Sequence, residues 1–240
     1  MKSLNNIIFI KIILLFFFIL NSLYGRSQNG SIICNNILKD SSIYEENLFG
    51  EIFINKDLYK GPKYFNSTWY YGEIILENNK HVTNKLLNYH LMSNQLIWLR
   101  SSDYKQIVVL SEKVKEFIIY NKETGRNEIF RNIKFKPVYF IDSVTTYLQV
   151  LSEGKVNIYA YRKERLNNNY NEFILVNEYY IQIDNGPLKY ITPNRWTLYL
   201  AVGDYKTQIK KIVRSNHLRI RREDDLVKAI DIFNHEISSK

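Results

Sequence analysis

The sequence predicts a mainly β protein of the α+β class, with antiparallel β-meander or sandwich-like sheets followed by a short C-terminal helical tail. The composition supports this prediction, because the 240 residues include 19 Tyr and 13 Phe and aromatic side chains favour half-buried strands. The pattern along the chain supports it too. Short apolar runs alternate with turn residues from 68 to 192, and the hydrophobic period then changes to that of a helix.

A first set of strands is predicted in a β-meander region that spans 61–136. Gly61-Pro62 marks a turn before it. Asn78-Asn79 is a turn pair that tolerates positive φ, and Thr124-Gly125 is another turn. The predicted strands cover residues 68–76, 82–91, 95–100, 107–110, 114–120 and 128–133.

A second β region is predicted for 137–192, with Pro137 at the joint. One hairpin joins 146–152 to 155–161 across Glu153-Gly154, and another joins 172–183 to 188–192 across Asp184-Asn185-Gly186. Apolar residues alternate with more polar ones along 155–161, which predicts one buried and one solvated face. The buried set is Val156, Ile158 and Ala160, and the solvated set is Lys155, Asn157 and Tyr159.

The helical tail is predicted for 193–240. Pro193-Asn194 opens a first helix at Arg195, and Gly203 ends it. Asp204 is placed to cap a second helix over 205–215. Glu223-Asp224-Asp225 opens a third, since acidic residues suit the positive end of the helix dipole.

The N-terminus predicts export. Residues 1–25 read as a signal peptide, with Lys2, an unbroken apolar run over 12–20 and a small residue, Gly25, at a plausible cleavage point. A poorly defined segment covers 26–60. Its Cys34 is the chain's one cysteine, so no internal disulfide is possible, and Ile33 before it excludes a lipoprotein signal. We expect the protein in the periplasm, at the outer membrane or secreted, with membrane attachment only through an uncleaved signal.

Six short motifs carry a resemblance to a known family: Tyr71-Gly72-Glu73-Ile74-Ile75-Leu76-Glu77-Asn78-Asn79-Lys80, Leu87-Asn88-Tyr89, Asn94-Gln95-Leu96, Leu151-Ser152-Glu153-Gly154-Lys155-Val156-Asn157-Ile158-Tyr159, Arg222-Glu223-Asp224-Asp225-Leu226-Val227-Lys228 and Phe233-Asn234. They resemble motifs of small exported proteins of unknown function that are common in Bacteroidetes bacteria. The resemblance covers most of residues 60–235 and implies an envelope location, but it brings no activity and no functional residue. Asn79 stands where members usually carry a turn glycine.

No catalytic, cofactor-binding or metal-ligating residue is predicted, and no cofactor is expected. The sequence contains no nucleophile-elbow, zinc-protease or phosphate-loop pattern. His81 and His90 fall in neighbouring predicted strands, but zinc needs three or four convergent ligands and no third is spaced for it. Four aromatic residues could form a platform for sugar rings, although such side chains more often pack in a core. They are Trp69, Tyr70, Tyr71 and Trp98.

A basic C-terminal stretch is the one candidate functional surface. The net charge is +9, and no acidic residue interrupts the basic ones between 205 and 222. This stretch is either a solvated helix face without a partner or a surface that binds an anionic glycan, a lipid headgroup or an acidic envelope protein, and export argues against nucleic acid. The preferred function is therefore a non-enzymatic binding or structural envelope protein; the alternative is a hydrolase acting on cell-envelope polymers. The residues are Lys206, Lys210, Lys211, Arg214, Arg219, Arg221 and Arg222.

Overall fold

Eleven strands form one antiparallel sheet in the computed structural model, which describes residues 48, 50–54, 60–138, 140–167 and 172–239. Their order across the sheet is β1-β5-β4-β3-β2-β6-β7-β8-β9-β10-β11. The predicted signal peptide, 1–25, and nearly all of the predicted segment 26–60 lie outside the described residues. The predicted fold class, antiparallel β followed by a helical tail, is confirmed.

The strand bounds follow the predicted apolar runs closely. The β6–β7 hairpin turns at the predicted Thr124-Gly125, and the chain leaves the sheet around Pro137 before β8 begins. The strands are β1 (Gly50–Ile52), β2 (Tyr70–Leu76), β3 (His81–His90), β4 (Gln95–Leu99), β5 (Gln106–Val109), β6 (Val114–Asn121), β7 (Arg126–Phe135), β8 (Val144–Ser152), β9 (Val156–Asn167), β10 (Glu172–Ile183) and β11 (Lys189–Ile191).

Asparagine and aspartate carry the left-handed backbone at two of the predicted turns. Asn79 has a φ of 59°, between β2 and β3. Asp184 and Asn185 have φ values of 49° and 59° between β10 and β11. Short polar side chains of this kind tolerate the left-handed region better than other non-glycine residues. Asn79 can therefore replace a turn glycine.

Three α-helices follow the sheet: α1 (Arg195–Ala201), α2 (Lys206–Ser215) and α3 (Glu223–Ser238). The Asn194 side chain caps α1 by accepting a hydrogen bond from the Thr197 backbone N–H at 2.9 Å. Gly203 follows α1 with a φ of 56°, so it stops the helix as predicted. Asp204 does not cap α2, and that prediction is wrong. The chain makes a 3₁₀ turn over Gly203–Tyr205, so the backbone is already helical where a capping residue would need to be extended.

The first core is aromatic and lies among β2 to β8. Phe117 and Phe130 stack with ring centroids 4.8 Å apart, and Tyr89 lies 4.9 Å from Phe130. The chain just before β2 closes one side, because the Phe65 backbone N–H donates to the Tyr89 carbonyl at 2.8 Å. The same segment reaches β10, where the Phe173 N–H donates to the Lys60 carbonyl at 2.8 Å. This segment thus ties the middle of the sheet to its far end.

The second core joins the helical tail to the sheet. Ile158 and Ala160 of β9 pack with Leu198 of α1, Ile209 of α2 and Phe233 of α3, all completely buried. The tail is therefore part of the folded body, because it supplies one side of this core. Because the inner side of the tail is buried in this core, the basic residues of the tail lie mainly on its outer side.

Lys155 is exposed as predicted, but the other two residues of the expected solvated face, Asn157 and Tyr159, are buried, and for them the prediction is wrong. Tyr159 is only 3% exposed and Asn157 is also buried. Tyr159 belongs to a separate buried cluster with Phe135, Leu148, Tyr161 and Tyr180. The Tyr180 ring lies 4.9 Å from that of Phe135. Both faces of β9 are covered because helices lie on one and aromatic side chains on the other.

Candidate functional site

The basic residues singled out in the sequence lie together on the helical tail, where we call them the basic tail surface. All are exposed except Lys210, which is half-buried. Four belong to α2, and three belong to the link between α2 and α3. They are Lys206, Lys210, Lys211 and Arg214 on α2, and Arg219, Arg221 and Arg222 in the link.

The apolar pattern of the tail explains why these side chains point outward. α2 buries Ile209, Ile212 and Val213 against the second core. The helical period then leaves basic residues at steps of four along a different side. In the link, Leu218 and Ile220 are buried, and the arginines that alternate with them are exposed. Burial of the apolar residues in α2 and in the link thus determines that most of the basic side chains face solvent.

No carboxylate within the described part of the chain forms an ion pair with any side chain of the basic tail surface. The acidic residues that follow it in sequence have other partners. Glu223 pairs with Arg162, and Asp225 accepts a hydrogen bond from the Arg219 backbone N–H at 3.0 Å. Glu236 and Lys211 border the same shallow groove without an ion pair. The positive charge of this surface is therefore available to an external anion.

A groove of about 630 Å³ lies between the sheet and the start of α3. We call it the α3 groove. Several titratable side chains line it, as an enzyme site would require. Glu128 of β7, Arg162 of β9 and Glu223 of α3 are among them, together with Asp231 and Lys228. The hydrogen-bond partners of these side chains and the pKa of Glu223 decide whether the hydrolase alternative gains support.

Arg162 of β9 connects the two sides of the α3 groove by hydrogen bonds to the sheet and to α3. Its side chain is only 6% exposed. Nε donates to Gln149 Oε1 at 2.7 Å, and the two terminal nitrogens donate to the Glu223 carboxylate at 2.7 and 2.8 Å. The Tyr179 hydroxyl donates to the same carboxylate at 2.8 Å. Such a bidentate pair fixes the orientation of both groups, so it anchors the first turn of α3 to the sheet.

The Glu223 carboxylate of the α3 groove is stabilised as an anion by its partners. Burial disfavours ionisation of Glu223, but the hydrogen bonds and charge of Arg162, with the Tyr179 hydroxyl, outweigh it and lower the pKa of Glu223. Glu128 accepts hydrogen bonds from the side-chain amides of Asn66 and Asn121 at 2.8 and 2.9 Å. Glycoside hydrolysis needs one carboxyl that donates a proton, usually with a raised pKa. Glu223 does not suit that role, and the hydrolase alternative stays a prediction.

The lowered pKa of Glu223 predicts acid-sensitive docking of α3. A carboxyl whose folded-state pKa lies below its unfolded value stabilises the fold above the unfolded pKa, about 4.3 for Glu, and loses this effect as the pH falls through the folded value. We expect Glu223→Gln to lower the melting temperature most at neutral pH. The difference in melting temperature from the native chain should narrow as the pH falls below the unfolded value of about 4.3. Thermal melts followed by circular dichroism would measure it, and a gap that does not change with pH would refute the prediction.

The two strand histidines have separate partners. His81 Nδ1 pairs with the Glu73 carboxylate, whereas His90 Nδ1 lies 2.8 Å from Ser93 Oγ. Burial, reinforced by Lys63, lowers the pKa of His90. His81 is exposed, whereas His90 is buried. Among the described residues, no group of three or more His, Cys, Asp or Glu side chains is arranged to hold a metal ion.

The four aromatic residues do not form an open sugar-binding platform. Tyr70 and Trp98 are buried in the first core, which confirms for them the alternative prediction that such side chains pack in a core. Trp69 is half-buried and packs against Tyr64, with ring centroids 5.6 Å apart. Tyr71 is also half-buried. These rings mainly stabilise the sheet.

Sequence reasoning missed the Arg162–Glu223 pair because its members are 61 residues apart. One signal was present. Arg162 continues the alternation of Val156, Ile158 and Ala160, so it occupies a position that should face the apolar core. A charged residue at such a position is rarely buried without a partner, which predicts a buried ion pair but not its acidic member.

Comparison with protein-family models matches no family, and comparisons with curated proteins and with solved structures find no match either. The resemblance to exported Bacteroidetes proteins therefore stays an expectation.

Proposed function

We propose that this chain is an exported, non-enzymatic envelope protein that binds anionic molecules through the basic tail surface. One observation carries the proposal: the folded tail carries seven basic side chains, six of them exposed, that form no ion pair with acidic residues of the described chain. Unpaired surface cations attract phosphate, sulfate and carboxylate groups. The α3 groove gives less support to the binding of an external molecule, because its Glu128 and Glu223 carboxylates already accept hydrogen bonds from other side chains of the chain.

The charge pattern favours a function over a solvated surface with no partner. Lys206, Lys210 and Arg214 repeat at four-residue steps on α2, and like charges at this spacing destabilise a helix by about 0.2–0.5 kcal/mol per pair. The helix carries this cost in the absence of a ligand. A bound polyanion would remove it, because each anionic group would screen the neighbouring cations from one another.

Reversal of two central charges tests the proposal. We expect Lys210→Glu with Arg214→Glu to elute from immobilised heparin at a clearly lower salt concentration than the native chain. The fold should stay intact, because Arg214 is exposed, Lys210 is half-buried and neither forms an ion pair with a described carboxylate. Salt-gradient chromatography measures the effect, since screening weakens contacts between exposed charges.

The matched control is Lys134→Glu with Lys136→Glu, which changes the net charge equally on a different exposed surface, at the end of β7. It should shift elution much less. Equal shifts in both variants would show that heparin responds only to net charge, and would contradict the proposed surface. Export is tested separately by fractionating the native host and sequencing the mature N-terminus. A cytoplasmic protein with residues 1–25 intact would contradict it.

A further inference from the structure

Two large apolar side chains are exposed on α1, directly beside the basic tail surface in sequence. Trp196 is 73% exposed and Leu200 is 68% exposed. They are four residues apart, so they lie on the same side of the helix. Leu198 and Ala201 are buried in the second core. α1 therefore holds the fold through Leu198 and Ala201 and leaves Trp196 and Leu200 exposed.

The helices α1 and α2 are neighbours on the second core, and we call their exposed residues the outer layer of the helical tail. The two helices contact each other, and both bury their inner sides in the same core. Their outer sides consequently face away from that core together. Arg195, next to Trp196, is exposed as well. The layer thus combines an apolar pair with many cations.

An anionic lipid surface fits this combination better than a soluble polyanion. Exposed cations account for attraction to either, but a sugar sulfate or a free phosphate offers nothing to bury a tryptophan and a leucine. Tryptophan is enriched at the boundary between lipid headgroups and acyl chains. Protein surfaces that lie in this boundary carry Trp, Phe or Leu next to Lys and Arg.

We propose that the outer layer of the helical tail docks on anionic lipid bilayers, with Trp196 and Leu200 entering the headgroup boundary and the basic tail surface contacting the phosphates. This inference rests on the proposed function and names its ligand class. It is independent of any anchor at the N-terminus. Among the described residues, no helix has both the length and the apolar character needed to cross a bilayer, so the docking proposed is peripheral.

The test compares binding to vesicles of phosphatidylglycerol and phosphatidylcholine with binding to phosphatidylcholine alone. The native chain should bind the anionic vesicles at least ~10-fold more tightly, since basic residues near an anionic surface act additively. Trp196→Ala with Leu200→Ala should lose most of the binding to anionic vesicles. Retention on heparin should stay unchanged, because the basic residues are intact. This separates the inference from the proposed function.

The matched control is Met92→Ala with Tyr104→Ala, which removes two exposed apolar side chains from loops of the sheet. It should bind vesicles as the native chain does. Brominated phosphatidylglycerol supplies a second readout. Of the three tryptophans, Trp98 is buried and Trp69 is half-buried, so quenching should come mainly from Trp196. It should persist in Trp69→Phe and vanish in Trp196→Phe.

Three results would overturn the inference. The first is heparin binding without vesicle binding, which would leave only the proposed function. The second is equal loss of vesicle binding in both alanine double variants. The third concerns a dimer. If sedimentation velocity shows a concentration-dependent dimer, and Trp196→Ala with Leu200→Ala abolishes this dimer but not vesicle binding, the apolar pair would serve contact between two copies of the chain.

Discussion

Replacement of Arg162 by methionine should lower the free energy of unfolding by about 3–5 kcal/mol, the range for removing one partner of a buried ion pair. The substitution keeps much of the side-chain volume but removes the donors to Gln149 and Glu223. The Glu223 carboxylate would then lie against the sheet without its cation. Urea unfolding followed by circular dichroism would measure the loss.

Arg100 provides the matched control. It also makes a bidentate pair, donating to Asp103 at 2.8 and 2.6 Å, but both side chains are about one-third exposed. Exposed pairs contribute roughly 0–1 kcal/mol, so Arg100→Met should have a small effect. If Arg162→Met proves too unstable to purify, Arg162→Lys keeps the charge and loses the planar fork. Equal stability of the native chain and Arg162→Lys would contradict the role assigned to the paired hydrogen bonds.

Replacement of Phe130 by alanine should cost about 3–5 kcal/mol, the usual range for truncating a buried phenylalanine. Phe130 is completely buried. It contacts Phe117 by stacking, and its centroid lies 5.3 Å from that of Phe65. Truncation would open a cavity where the chain before β2 closes the first core. Urea unfolding again gives the size of the effect.

Phe140→Ala is the control for Phe130→Ala, because Phe140 is 47% exposed in the connection between β7 and β8. Exposed substitutions away from special features usually change stability by less than about 0.5 kcal/mol. A similar loss in both variants would mean that the first core does not depend on the stacked aromatic rings. A mid-sized loss for Phe130→Ala, with a normal denaturant slope, would indicate that the core collapses into the cavity.

The strands and helices were predictable because their signals are local. Apolar runs between turn residues mark β2 to β11, and Asn194 and Gly203 mark the two ends of α1. The errors occurred where distant parts of the chain decide the outcome. Asn157 and Tyr159 look solvated in sequence, but Tyr159 packs in the aromatic cluster with Tyr180, and Asn157 is buried with hydrogen bonds to the Gly154 backbone N–H and the Gln182 side chain. Alternation cannot distinguish a face exposed to water from one covered by other residues.

The basic tail surface was predictable because its signals are also local, whereas the α3 groove was not predictable. The basic residues occupy a short stretch whose apolar members pack inward, so their exposure follows from helical and strand periodicity. The α3 groove depends on Asn66, Glu128, Arg162 and Glu223, which come from distant parts of the sequence. The exposure of Trp196 and Leu200 was equally hidden, since an apolar pair on a short helix normally faces the core.

Lysine footprinting with and without heparin tests most directly whether the basic tail surface is the binding site. Brief acetylation of the folded chain, read by mass spectrometry, would report each lysine separately. Heparin should protect Lys206, Lys210 and Lys211 several-fold while leaving Lys134 and Lys136 unchanged. Protection spread evenly over all exposed lysines, or concentrated at Lys228 in the α3 groove, would contradict the account.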